Sequence, residues 1–424
     1  MTLFILYWLI SPILWLLIPI LSIFNFKVRH HWLNQRSSIK YVKKIFNQKK
    51  ENIPVILFHA ASKGEFEQLK PILKKIKRSK NFILLTFFSP TVYKLEYKTN
   101  LADAVCYHPF DLPWEAYFFI KKFQIKYYVI TRNDIWPNHL FFAKRMNVKT
   151  ILINANLYRT SHYTNKINIF ILRTIFSKID LILTGSFRLQ RNLAKITPIE
   201  KIKITGDSRL DQVILRKKIN KKNLLPESFN LSSNIILGSF IPTDYETIFN
   251  GFKEFYYNGD KSLREKNHRI IIVPHEVNQA EIMSIKSKLK NIGLSSILYS
   301  DLNQSIESRI IIIDKIGILT DLYKYSDIAY IGAGFSTGVH SVIEPAIYNN
   351  IICFGPNYKI VDMAVEMVNN NISHIIKHKN DFIKIISILN NKPKLEINKS
   401  KMQKFISTQK LAADNIIDTI FNHA

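Results

Sequence analysis

Short, unbroken apolar runs alternate with amphipathic segments along most of the chain, and that alternation predicts α/β layers built around parallel sheets. Val55 to His59 reads as a buried strand. The loop Ala60-Ala-Ser-Lys-Gly64 comes next, and a helix opens at Glu65 with Phe66, Leu69 and Leu73 on one face. Further strands are expected at Phe82 to Phe87, Tyr127 to Ile130, Thr150 to Ile153, Leu181 to Leu183 and Ile202 to Ile204. The pattern then turns polar and turn-rich, marking a linker over 217–234. Beyond it the alternation restarts at Ile235 to Leu237, Ile270 to Val273, Ile310 to Ile313, Ile328 to Ile331 and Ile351 to Phe354. This divides the chain into two sheet-based domains, 28–216 and 235–395, with ligands expected at the carboxyl ends of their strands.

The first 27 residues break this pattern. From Thr2 to Phe26 there is no charge, and Leu, Ile, Trp and Phe are dense. As a helix the run crosses about 30 Å of hydrocarbon, and Pro12 and Pro19 are tolerated in lipid. It lacks the basic start and small-residue cleavage site of a signal peptide. Lys27, Arg29, Arg36, Lys40, Lys43 and Lys44 flank it, which predicts a cytoplasmic location for the remainder of the chain. A helix lying in the interface, rather than across it, is the alternative.

The stretch from Ile328 to Asn357 carries the clearest candidate chemistry. An apolar strand stops at Gly332-Ala-Gly334, Gly338 comes after it, Ser341 to Tyr348 looks helical, and the strand Ile351 to Phe354 breaks at Gly355-Pro356. Such a βαβ unit lets backbone N–H groups approach a phosphate at a helix N-terminus. His340 and Glu344, four apart, are expected on one helical face. The carboxylate suits the hydroxyl pair of a ribose, the imidazole a phosphate oxygen. Read alone, the same residues also fit a glycine-rich turn beside a helix-surface His and Glu.

Composition narrows the classes. The chain has 424 residues, 47% of them hydrophobic, enough for two packed cores and against wholesale disorder. Cys106 and Cys353 sit in apolar runs without metal-ligand spacing, as buried thiols of a reducing compartment do. The net charge of +28 admits nucleic acid, an anionic membrane or an acidic substrate. Its lysines are spread along the chain, and no basic face interleaved with aromatics argues for nucleic acid.

Four more loops come after predicted strands. At Ser62-Lys63-Gly64-Glu65 a carboxylate in the first helical turn either caps its helix or accepts a proton from a substrate hydroxyl. Asp134, near Arg132 and Trp136-Pro137, forms a local ion pair or part of a packed turn. Gly238-Ser239 and Pro274-His275-Glu276 offer small residues and N–H groups for a phosphate. Thr205-Gly-Asp-Ser-Arg209 presents one guanidinium.

In order and spacing, His59-Ala-Ala-Ser-Lys-Gly-Glu-Phe-Glu, Asp134-Ile-Trp-Pro-Asn, Thr205-Gly-Asp-Ser-Arg-Leu-Asp, Val273-Pro-His-Glu, Ile331-Gly-Ala-Gly-Phe and Gly338-Val-His-Ser-Val-Ile-Glu-Pro, with Phe354-Gly-Pro-Asn, resemble the 3-deoxy-D-manno-octulosonic acid (Kdo) transferases of lipopolysaccharide synthesis. The resemblance implies a GT-B glycosyltransferase: two Rossmann-like domains facing across a cleft, an N-terminal membrane helix over 1–27, and a helical stretch, 396–424, packing back on the first domain. It implies that Glu65 is the base, with Ser62, Lys63, Gly64 and Asp134 on the acceptor side. It implies that Gly334, Gly338, His340 and Glu344 hold cytidine monophosphate-Kdo (CMP-Kdo), and Arg209, Gly238, Ser239, His275 and Asn357 are expected to complete the donor site. The implied reaction inverts the anomeric centre, uses no metal or other cofactor, and takes a lipid A precursor as acceptor at the cytoplasmic face of the bacterial inner membrane. The chain departs from the family pattern at Arg132-Asn-Asp134, where Glu-Thr-Glu is common, at Val339-His340-Ser341, where Gly-His-Asn is common, and at His275-Glu276, where Arg-His is common. The alternative is another GT-B enzyme that uses a uridine-diphosphate sugar and a lipid-linked acceptor.

Overall fold

The computed structural model describes residues 2–49, 53–157, 166–219, 223–302 and 308–422. It divides into two units, Met1–Gln212 with Lys410–Ala424, and Val213–Gln409. Each is built on a seven-stranded parallel sheet.

In the first unit the strands are β1 (Val55–Ala60), β2 (Phe82–Phe87), β3 (Ala104–Tyr107), β4 (Ile125–Thr131), β5 (Lys149–Ala155), β6 (Leu181–Thr184) and β7 (Ile202–Ile204), in the order 3-2-1-4-5-6-7. Order reverses between β1 and β4, where open parallel sheets bind ligands. Alternate residues of one strand feed two cores. Ile56 and Phe58 pack with Phe66, Leu69 and Ile72, whereas Val55 and Leu57 pack with Val42 and Phe46.

Helix α1 (Thr2–Phe24) and helix α2 (Phe26–Phe46) precede this sheet, separated at Asn25, whose side chain accepts from the N–H groups of Lys27 and Val28. The segment Phe4–Phe24 is long and apolar enough to cross a membrane, with mean hydropathy 2.3. Helix α3 (Lys63–Lys75) comes directly after β1.

The second unit holds β8 (Ser233–Phe240), β9 (His268–Pro274), β10 (Ile297–Leu298), β11 (Ile310–Ile312), β12 (Ile328–Ile331), β13 (Ile351–Phe354) and β14 (Ser373–Ile375), in the order 10-11-9-8-12-13-14. Its sheet likewise has a core on each face: Ile235 and Leu237 pack with Phe249 and Phe252, and Ile236 with Tyr323 and Ala346. The polar segment expected as a linker is seated on this unit. Leu225 and Phe229 are buried there, and the N–H groups of Leu224 and Leu225 reach the Tyr325 hydroxyl. Positions 220–222 of it lie outside the described residues.

The helical stretch at the carboxyl end is two helices that belong to different units. Lys392–Thr408 packs in the second, where Met402 and Phe405 enter the core. Ala412–Asn422 packs in the first, where Ala412, Ala413, Ile416 and Ile420 lie beside α3 residues. The Asp211 carboxylate accepts from the N–H groups of Ala412 and Ala413 at 2.9 and 3.0 Å, capping the returning helix. Asp211→Ala should therefore lower stability by about 1–2 kcal/mol, the worth of such a cap, measured by urea unfolding. An unchanged midpoint would mean that the helix is held by its apolar face alone.

Candidate functional site

In the first unit the candidate residues meet at the carboxyl ends of β1 and β4. Ser62 is extended and caps α3, and Glu65 completes a capping box. Glu65 Oε2 accepts from the N–H groups of Ala61 (2.7 Å) and Ser62 (3.1 Å). Its other oxygen, Oε1, has no hydrogen-bond partner among the described residues. The capping reading of this glutamate therefore holds for Oε2, and Oε1 is left open. Burial, and then the nearby Asp134 charge, raise the Glu65 carboxyl above its usual range, against the lowering effect of His59 and the two amides. The expected dipole stabilisation of the anion is outweighed. Ser62, Lys63 and Gly64 are exposed, and a Cβ at Gly64 would meet nothing within 4 Å, so the loop top is open.

Asp134 does not pair with Arg132. Its Oδ2 lies 2.6 Å from His59 Nε2 and accepts from Trp136 Nε1 at 2.8 Å. Burial opposes ionisation of Asp134, but the His59 and Trp136 hydrogen bonds and the His59 charge hold its carboxyl below the usual range. His59, on β1, is fully buried, and its Nδ1 lies 3.0 Å from Thr86 Oγ1 on β2, its partner in the strand register. Sequence reasoning missed His59 as a functional candidate, although it opens the motif. The available signal was a polar residue inside an apolar strand directly before the loop.

Behind His59 runs a line of buried imidazoles. The His59 ring is 4.1 Å from that of His108, which is 4.3 Å from that of His139. Burial, reinforced by the neighbouring imidazoles, holds His108 well below its ordinary pKa, so it is neutral at pH 7. His139 Nδ1 reaches Asp111 Oδ1 at 3.0 Å, and Tyr7 of α1 donates to Asp111 Oδ2 at 3.1 Å.

In the second unit β8 and β12 end side by side in strained backbone. Ser239 (φ 53°) and Ala333 (φ 69°) are left-handed without being glycine, as residues at ligand sites often are. A Cβ on Gly334 would lie 2.4 Å from Gly355 N, so two turns cross at backbone contact; Gly338 has φ 114°. Most amides of the expected phosphate cradle are occupied. Gly332 N donates to Gly238 O, Ala333 N to Asp244, and Ser336 N and Gly338 N to Ala333 O. Gly334 N and Phe335 N have no partner among the described residues. Buried Asp244, also missed, holds the loop by accepting from Ala333 N, Tyr330 Oη and Ile241 N.

The helix expected from Ser341 runs only over Ile343–Ile347. Pro345 is the reason, since proline is tolerated only in a first turn and a start at Ser341 would make it interior. His340 and Glu344 therefore do not share a helical face, because His340 precedes the helix. The His340 ring instead stacks on His275, centroids 4.6 Å apart at 20°. Burial, and then His275, lower the His340 pKa, leaving a neutral imidazole at pH 7. Glu344 Oε2 is buried without a hydrogen-bond partner among the described residues. The buried Tyr323 hydroxyl lies where a Cβ on Gly238 would fall, 2.3 Å away. Burial and the Glu344 charge keep that phenol protonated. Asn357 clamps the glycine loop, its N–H to Gly334 O and its Nδ2 to Ser336 O. Arg209 belongs to the first unit, where its Nε and Nη2 both donate to Asp207.

The Glu65–Asp134 coupling is testable directly. Asp134→Asn removes a charge that raises the Glu65 pKa, so the Glu65 carboxyl should titrate at lower pH in the variant, followed by NMR of carbon-labelled glutamate. No movement would mean that the two carboxylates do not sense each other.

The sequence model of the family described as 3-deoxy-D-manno-octulosonic-acid transferase (kdotransferase) matches residues 33–212. A 3-deoxy-D-manno-octulosonic acid transferase of Aquifex aeolicus is 28% identical over 80% of this chain and 87% of its own. A bifunctional glycosyltransferase/methyltransferase of Fusobacterium nucleatum is 25% identical over 85% of this chain, which spans only 56% of that protein. Among solved structures, a UDP-N-acetylglucosamine 2-epimerase described as putative, from Listeria monocytogenes, is similar in fold, with TM-score 0.61 at 12% identity over 87% of this chain and 96% of its own. The two parallel-sheet units are those of the GT-B class. The chain thus carries a match to the Kdo transferase family model over 33–212, and it is similar to curated Kdo transferases over most of its length.

Proposed function

We propose that the protein transfers Kdo from CMP-Kdo to a hydroxyl of a membrane-resident lipid A precursor, with inversion, at the cytoplasmic face of the inner membrane. The observation that carries this reading is the Glu65 carboxylate: Oε2 is fixed by two amides, Oε1 has no hydrogen-bond partner among the described residues, and the pKa is raised toward that of a useful base. Oε1 takes the proton of the acceptor hydroxyl. The oxygen attacks the anomeric carbon from the side opposite the phosphate, the bond to the phosphate oxygen breaks, and cytidine monophosphate leaves with the electron pair. His59 and Asp134 do not touch the reacting atoms in this scheme; they set the charge around the base.

The donor falls to the second unit. The buried, unpartnered Glu344 Oε2 suits a ribose hydroxyl, whose O–H would satisfy it. Neutral His340 donates an N–H to a phosphate oxygen, beside the amides of Gly334 and Phe335. Charge on the departing phosphate is met by these protein donors, and the scheme calls for no metal.

The test is incubation of the purified protein with lipid A precursor and either CMP-Kdo or a uridine-diphosphate sugar, with mass spectrometry of the lipid. A Kdo-bearing lipid from CMP-Kdo is expected; product from the uridine donor alone would overturn the assignment. Glu65→Gln should lower kcat by roughly a hundredfold to ten-thousandfold, the usual worth of a general base, while donor affinity holds. Glu344→Gln should instead raise the donor KM. Because Glu65 must be ionised to act, the rate should fall on acidification at a pH above the ordinary glutamate range.

A further inference from the structure

One stripe of helix α1 is buried along its length, and its first turns are bonded to the domain. Phe4, Ser11 and Ile18, seven apart, are buried together with Ser22. Phe4 packs on the Phe141 ring, Tyr7 donates to Asp111, and Trp8 Nε1 donates to Asn138 Oδ1 at 2.7 Å. On another face Leu6, Ile13 and Ile20, also seven apart, are 57%, 59% and 52% exposed. A helix crossing the bilayer would have to carry that seam, and the domain docked on it, through about 30 Å of hydrocarbon. With one face on protein and the other apolar and open, α1 meets lipid from the side, its domain taking the place of the charged face that a free in-plane helix carries.

A groove of about 550 Å³ lies between α2 and the helix Pro113–Phe123. Arg36, Lys40, Lys43, Lys44 and Lys122 line it, over an apolar floor that includes Trp114 and Phe118. Glu115, the acid in the lining, is engaged by Gln35 Nε2. Five cations over aromatic carbon are chemistry for the headgroup and upper acyl chain of an anionic lipid. An aromatic run joins this groove to α1: Trp8 stacks on Phe142, Phe142 meets Tyr117, and Tyr117 meets Phe118.

We propose that α1 lies in the plane of the membrane rather than across it, and that the groove between α2 and Pro113–Phe123 seats the headgroup of an anionic phospholipid. The inference rests on the membrane location proposed above, and not on the identity of donor or acceptor. Protein and bilayer then meet over one face of the first unit, with lipid touching both hydrocarbon and charge.

Two measurements on the full chain test it, both independent of transfer activity. Cys106 and Cys353 are fully buried, so a fluorophore can be placed on Leu6→Cys, Ile13→Cys or Ile20→Cys in turn. Quenching by lipids spin-labelled at graded depths should put all three at one shallow depth. A deep Ile13 between shallow Leu6 and Ile20 would overturn the in-plane orientation while leaving membrane attachment intact. Co-sedimentation with phosphatidylcholine vesicles, with and without phosphatidylglycerol, tests the groove. Lys40→Glu with Lys44→Glu should weaken binding to the anionic vesicles at least tenfold and leave binding to neutral vesicles unchanged. Equal binding by the variant would remove the headgroup seat. Failure of the unaltered protein to bind any vesicle would sink the membrane location itself.

Discussion

Two backbone amides hold one oxygen of Glu65, and the geometry of the loop after β1 depends on that grip. Without it the carboxylate would swing with its helix end. With it, one oxygen is fixed at the mouth of the sheet and the other is left open. The same site tunes the group electrostatically. Asp134 raises its proton affinity and His59 lowers it, and both are fixed by hydrogen bonds to neighbouring strands and turns. Pre-organisation here is a matter of short bonds to backbone and of a histidine buried one residue before the strand ends.

The second unit reaches a comparable end by a different route. Its strands β8 and β12 stop in left-handed residues, and its glycines serve contact between two turns more than access by a ligand. The Gly334–Gly355 crossing is too close for any Cβ. What remains for a ligand is a pair of amides, a stacked pair of histidines and a carboxylate oxygen with no hydrogen-bond partner among the described residues. An unsatisfied buried acceptor is costly, so a ligand hydroxyl there relieves a penalty already present in the free protein.

Much of this was legible in the chain. Long isoleucine-rich runs such as Ile270 to Val273 and Ile328 to Ile331 became central strands, because a strand buried on both faces leaves no polar alternation to misread. The edge strands β10 and β14, Ile297–Leu298 and Ser373–Ile375, were not anticipated; two or three residues carry no period. Ala104–Tyr107, as long as Ile328–Ile331, was missed because Ala104 and Cys106 make its apolar signal weak. The loops bearing Glu65, His275, His340 and Glu344 were found because each comes directly after an apolar run. The helix start at Ile343 was misplaced because periodicity was weighed above the position of Pro345. Asp244 and Tyr323 could not be singled out, since their importance arises from burial beside residues distant in sequence.

Tyr7 bonds to Asp111, Asp111 to His139, and the imidazoles continue to His59 beside the Glu65 carboxylate. A shortened protein, made without its first helix for easier handling, would lose one donor to Asp111 and strip the cover from Phe141. Measurements on it would then describe an altered scaffold, even in detergent solution.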